Sequence, residues 1–127
     1  MDAEQAIADL TEISPQVRDV VIVGLKGAVV GTNAAAERAE AIAAAAQRLL
    51  SAADELQAEG EVSQLEAATA QGSVFAVRDG GRLIAATTTF EPTVGLVFYD
   101  LKTCLRSIDP DTPRKRAPRK KTDDAAA

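Results

Sequence analysis

Val20-Val21-Ile22-Val23 is a run of four β-branched residues with nothing polar between them. Side chains alternate across a strand, so an uninterrupted apolar run presses two of them against each face of a sheet. Such a strand must be covered above and below, which calls for helices on both sides. With 127 residues, 46% apolar and 26% charged, the chain has room for one such domain and little else.

The neighbouring segments fit that demand. Val17–Val23 is followed by Gly24-Leu25-Lys26-Gly27 and then by Ala28–Thr32, which reads as a hairpin around a short glycine-bounded turn. Before it, Ala3, Ala6, Ile7, Leu10 and Ile13 follow helical spacing. Asp2 serves as N-cap with Gln5 three residues on, and Ser14-Pro15 ends the helix. Gln64–Ala70, Ser73–Arg78 and Arg82–Thr88 are strands separated by Gln71-Gly72 and Asp79-Gly80-Gly81, turns tight enough to force antiparallel neighbours. In the closing segment Val94, Val97, Leu101, Cys104/Leu105 and Ile108 keep a 3.6-residue period after Pro92-Thr93, which predicts a helix.

Between the hairpin and the later strands lies the longest predicted helix, Ala34 to Ala58, with Asn33 as N-cap and a length of about 37 Å. Ile42, Ala46, Leu49, Ala53 and Leu56 recur at steps of four and three. A wheel gathers Glu40, Gln47, Arg48, Ser51, Asp54 and Glu55 on one side. The remaining arc, with Ala39, Ala43, Ala45, Leu50 and Ala52, is apolar over about 200°, roughly twice what one core-facing stripe requires. Either alanine is present simply as the best helix former, or the surplus arc packs on a second partner. Arg38 falls on the leucine-bearing side of that wheel.

Composition excludes several kinds of chemistry. The sequence has no His and a single Cys, Cys104. There is accordingly no Ser-His-Asp or Cys-His system, no imidazole shuttle, no usual zinc site and no intrachain disulfide. The glycines match neither a P-loop nor a dinucleotide-binding spacing, and no calcium loop occurs. No metal or cofactor is therefore expected, and the chain reads as a soluble, cytoplasmic protein that is not an enzyme. Cys104 lies on the apolar stripe of the last helix. It is either a small hydrophobe or a thiol near Lys102 and Arg106.

The net charge of −5 averages two regions. Residues 1–108 carry eight Lys/Arg and fifteen Asp/Glu, net −7, whereas residues 109–127 carry six and four, net +2. The boundary at Asp109-Pro110-Asp111-Thr112-Pro113 has no apolar residue, so 109–127 reads as a disordered basic tail behind a folded domain of residues 1–108. Arg114, Lys115, Arg116, Arg119, Lys120 and Lys121 give the tail all its positive charge. A run of this kind suits nucleic acid, anionic lipid or an acidic protein, or merely solubilises the chain.

The order α-β-β-α-β-β-β-α, with the Val-Val-Ile-Val-Gly-Leu-Lys-Gly-Ala-Val-Val-Gly-Thr hairpin and the later Gly-Ser-Val-Phe-Ala-Val-Arg hairpin, resembles the roadblock family of dynein-light-chain-related proteins, free-standing bacterial type, over residues 1–108. The resemblance implies an α+β fold, a five-stranded antiparallel sheet sandwiched by helices, with the long helix on one face and the terminal helices on the other. It implies a homodimer or heterodimer made by pairing long helices and edge strands, which places Ala39, Ile42, Ala43, Ala46, Leu50, Ala53, Gln64 and Glu66 in the interface. It further implies that the dimer regulates a small Ras-like GTPase by positioning the GTPase's own switch residues. The alternative is a scaffold, in some cases beside a membrane sensor-kinase-like protein. Arg38 and Arg48 are the candidates for partner contact, and their plain alternative is surface charge or a salt bridge. An Ala- and Arg-rich, Lys-poor domain also points to a GC-rich bacterial genome.

Overall fold

The computed structural model describes residues 1–56 and 59–109. Three helices and five strands alternate as expected. They are α1 (Ala3–Ile13), β1 (Val17–Val23), β2 (Val29–Thr32), α2 (Ala36–Leu56), β3 (Gln64–Thr69), β4 (Gly72–Asp79), β5 (Arg82–Thr88) and α3 (Val94–Ser107). The strands form one antiparallel sheet in the order β2-β1-β5-β4-β3. β1 and β5 are thus central neighbours although far apart in the chain. β2 and β3 form the two edges.

The apolar run in β1 serves both faces. Val20 and Ile22 join Phe75, Val77, Ile84 and Ala86 beneath α1 and α3, where Ile7, Leu10, Leu101 and Leu105 close the layer. Val21 and Val23 point the other way, with Ala76, Leu83 and Ala85, beneath Ala39, Ile42, Ala43, Ala46 and Leu50 of α2. The first layer is built from large side chains. It includes Phe75 edge-on to Phe98, ring centres 4.9 Å apart. The second sets alanines of the helix on alanines of the sheet, so backbones approach closely and little area is buried per residue.

Local details follow from side-chain chemistry. The Asp2 carboxylate accepts from the Gln5 backbone N–H at 2.8 Å and caps α1, but the Gln5 side chain bonds Asp9 instead of completing a reciprocal box. Asn33 does not cap α2, which begins at Ala36. Its Oδ1 accepts from the Val20 N–H at 2.7 Å and its Nδ2 donates to the Arg18 carbonyl at 2.8 Å, so it continues the pairing of β1 past the end of β2. Gly31 lets α1 lie directly on β2, since a Cβ there would sit 2.7 Å from that of Ala3. Gly80 and Gly81 both have positive φ, at 63° and 84°, as the tight β4–β5 turn requires. The expected end of the long helix at Ala58 falls partly outside the described residues, as does the basic tail beyond Asp109.

Candidate functional site

The broad apolar arc of α2 divides in two. Ala39, Ile42, Ala43, Ala46 and Leu50 of the expected interface set are buried beneath α2 in the domain's own core. The other half of the arc, at Ala41, Ala45, Leu49, Ala52 and Leu56, faces outward. Leu49 is 38% exposed and Leu56 is 87% exposed. Ala53 sits at the boundary, half-buried. The wheel alone gives the width of the arc but not which half the sheet will claim.

Strand β3 continues this surface. Among the described residues it pairs only with β4, which makes it an edge strand of the sheet. Leu65 packs against the core beneath α2. Strand alternation puts Ala67 on the same face, and puts Gln64 and Glu66 on the opposite one. Glu66 is occupied there, accepting from the Ser73 hydroxyl at 2.7 Å. Leu65 and Ala67 are therefore the β3 side chains nearest in facing to the outer half of α2. Sequence alternation held that signal, but the flanking polar residues masked it.

A polar clasp fixes the helix relative to the edge strand. Arg78 of β4 donates to Asp54 of α2 at 2.7 Å and to the Val62 carbonyl at 2.6 Å, and the Val62 N–H donates to the same Asp54 oxygen at 2.7 Å. The bond from Arg78, followed by that from Val62, holds the Asp54 carboxyl below its usual range. Arg78 also lies 3.9 Å from Glu61.

At the other end of α2, Arg38 reaches Asp19 of β1 through Nε at 3.1 Å and a terminal nitrogen at 3.0 Å. Asp19 also accepts from the Thr87 hydroxyl at 2.7 Å, while its own N–H donates to that hydroxyl. Burial pushes the Asp19 carboxyl up, but Thr87 and Arg38 together outweigh it and hold the group below its ordinary value. These residues line an open polar cleft of about 440 Å³ with Arg18, Gln71 and Ser73. Arg38 is thus a structural tie to β1. Arg48 is exposed on the outward side of α2 and makes no ion pair among the described residues.

Cys104 is buried on α3, its thiol against the Ala6 carbonyl at 3.5 Å. Burial, aided by Asp9, raises its pKa to about 11, so it is protonated at neutral pH and acts as a small hydrophobe. Among the described residues no group of three or more His, Cys, Asp or Glu is placed to hold a metal ion, and no helix is long and apolar enough to cross a membrane. Arg114, Lys115, Arg116, Arg119, Lys120 and Lys121 lie outside the described residues.

Comparison with known proteins agrees with this architecture. Solved structures of similar fold include a Roadblock/LC7 domain from Streptomyces avermitilis, 18% identical, covering 84% of this chain and 94% of that one with a TM-score of 0.72. Myxococcus xanthus MglB is 16% identical, covering 80% of each chain with a TM-score of 0.66. An MglB with a tetrameric arrangement is 14% identical, covering 84% of each chain with a TM-score of 0.64. No curated protein matches the chain in sequence. The family model of the Roadblock/LC7 domain matches residues 4–89, and the chain belongs to that family.

Proposed function

We propose that this chain is a cytoplasmic, non-enzymatic homodimer that binds a small Ras-like GTPase and regulates its nucleotide turnover. The observation that carries the reading is the pairing of an unclaimed apolar helix face with an open strand edge on the same side of the sheet. Two copies related by a two-fold axis would lay outer α2 halves together and join β3 to β3, burying both features at once. Roadblock membership supports the GTPase as partner, and a tetrameric arrangement in a protein of similar fold supports self-association.

Within this reading, bond-breaking belongs to the GTPase, and the dimer supplies only positioning of the partner's catalytic groups. A sequence without His, whose one thiol is buried and protonated, is suited to that division of labour. Arg48 is the first residue to test for partner contact, because Arg38 is already committed to Asp19. The decisive experiment is affinity capture from the native cell, followed by GTP turnover of any small GTPase recovered, with and without the protein. A GTPase whose turnover changes supports regulation. One whose turnover is unaltered favours a scaffold, and recovery of no GTPase overturns the proposal.

A further inference from the structure

The polar cleft around Asp19 and Arg38 belongs to neither apolar layer. Its volume of about 440 Å³ falls in the range of small-molecule sites. Arg18 and Asp19 come from β1, Thr69 from the end of β3, Ser73 from the start of β4 and Thr87 from the end of β5. Arg38 adds a wall from the first turn of α2. Four strands and a helix thus hold the lining on regular backbone, which suits a site that must keep its geometry.

The hydroxyls of the lining spend their protons inside the protein. Thr69 donates to the Gly72 carbonyl, Ser73 to Glu66, Thr87 to Asp19 and Thr88 to the Thr89 carbonyl. Both bonds from Arg38 go to one Asp19 oxygen, through Nε and one terminal nitrogen. Its other terminal nitrogen makes no bond among the described residues. The Arg18 guanidinium has no hydrogen bond or ion pair there either, and the Gln71 side-chain amide is equally uncommitted. Asp19 is balanced by Arg38, so Arg18 leaves the cleft one positive charge in surplus. That surplus stands out in a region, residues 1–108, of net charge −7.

We propose that this cleft binds a phosphate group, as inorganic phosphate or on a small ester, between the Arg18 guanidinium and the free end of Arg38, with the Gln71 amide as a further donor. A guanidinium fork matches two oxygens of an oxyanion. One fork fills both oxygens of a carboxylate, whereas the three terminal oxygens of a phosphate ester can serve two forks. The bonds to Asp19 fix the Arg38 fork in advance, so less side-chain freedom is lost on binding. The cleft stands apart from the GTPase reading, since none of the outward α2 residues Ala41, Ala45, Leu49, Ala52 and Leu56 lines it.

The test titrates the isotope-labelled full chain with inorganic phosphate, with glycerol phosphate and with acetate, at constant ionic strength, and follows its amide NMR spectrum. Phosphate binding predicts saturable shifts at residues 18–19, 38, 69–74 and 87–88, and no saturable response there to acetate. Whichever phosphate binds tighter identifies the source, free anion or small ester. Arg18→Gln, at an exposed side chain without partners in the fold, should weaken binding about tenfold or more. Arg38→Gln should weaken it by a similar factor. Lys26→Gln removes the same charge from the turn at the far end of β1 and should leave the affinity unchanged. Shifts confined to residues outside the cleft, the basic run 114–121 included, would overturn the assignment. So would an affinity unaltered by either arginine substitution, or a loss as large in Lys26→Gln. An equal response to acetate would make the occupant a carboxylate, such as an acidic peptide, and would overturn it as well.

Discussion

The two faces of the sheet solve the same burial problem with different materials. Beneath α1 and α3, Phe75, Ile7, Leu10, Leu101 and Leu105 fill the space with large side chains. Beneath α2, alanines meet alanines, with Ile42 and Leu50 as the main bulky groups from the helix. The first face is sealed by volume. The second brings a helix close to the sheet and leaves an apolar half of that helix uncovered.

Substitutions on each face put this contrast at risk. Leu101→Ala, at a fully buried position of the large-residue face, should cost about 2–5 kcal/mol in urea unfolding. An effect well under 1 kcal/mol would show that this layer is not the main source of stability. On the alanine face the opposite change is informative. Ala46→Leu, fully buried between helix and sheet, should destabilise by about 1–3 kcal/mol through overpacking. Ala52→Leu, further along the helix and facing outward, should leave the folding of each chain within about 0.5 kcal/mol. Equal costs at the two positions would remove the distinction between the inner and outer halves of α2.

Acid should act on the clasps rather than on either apolar layer. Asp19, Asp54 and Asp79 are held below the ordinary aspartate range, Asp79 by the Arg106 side chain. Because their folded values are depressed, the stability they contribute is present above the unfolded value, near pH 4. It is lost as pH falls through the folded values. With no His in the sequence, the urea midpoint should be flat from about pH 8 to 5 and drop only below about pH 4. A decline already visible at about pH 6 would contradict this. The smallest effect is expected at Arg38, which is 60% exposed at its side chain. Arg38→Ala should cost about 0–1 kcal/mol, read by the same unfolding.

The elements are plain in the sequence where their chemistry is local. The unbroken β1 run required two covering layers, glycine pairs marked the hairpins, and a 3.6-residue period marked α3. Strand order was not legible, because β1 beside β5 is a choice among distant partners. The inward half of α2 was equally hidden, since alanine occupies both halves and a wheel has no origin. Asn33 looked like a helix cap because the same side-chain chemistry that caps a helix can extend a strand pairing. The Arg38–Asp19 tie spans nineteen residues and two elements.

Solution molar mass by light scattering, taken for the native chain and for Leu49→Arg, decides whether α2 is completed by a second copy. Leu49 lies on the outward half of α2 and contributes nothing to the buried cluster beneath that helix. If the outer helix half is a contact between copies, the native chain has twice the 13.2 kDa chain mass, and the variant has 13.2 kDa with unchanged circular dichroism. A native chain at 13.2 kDa at micromolar concentration, or a variant that stays at twice that mass, would contradict it.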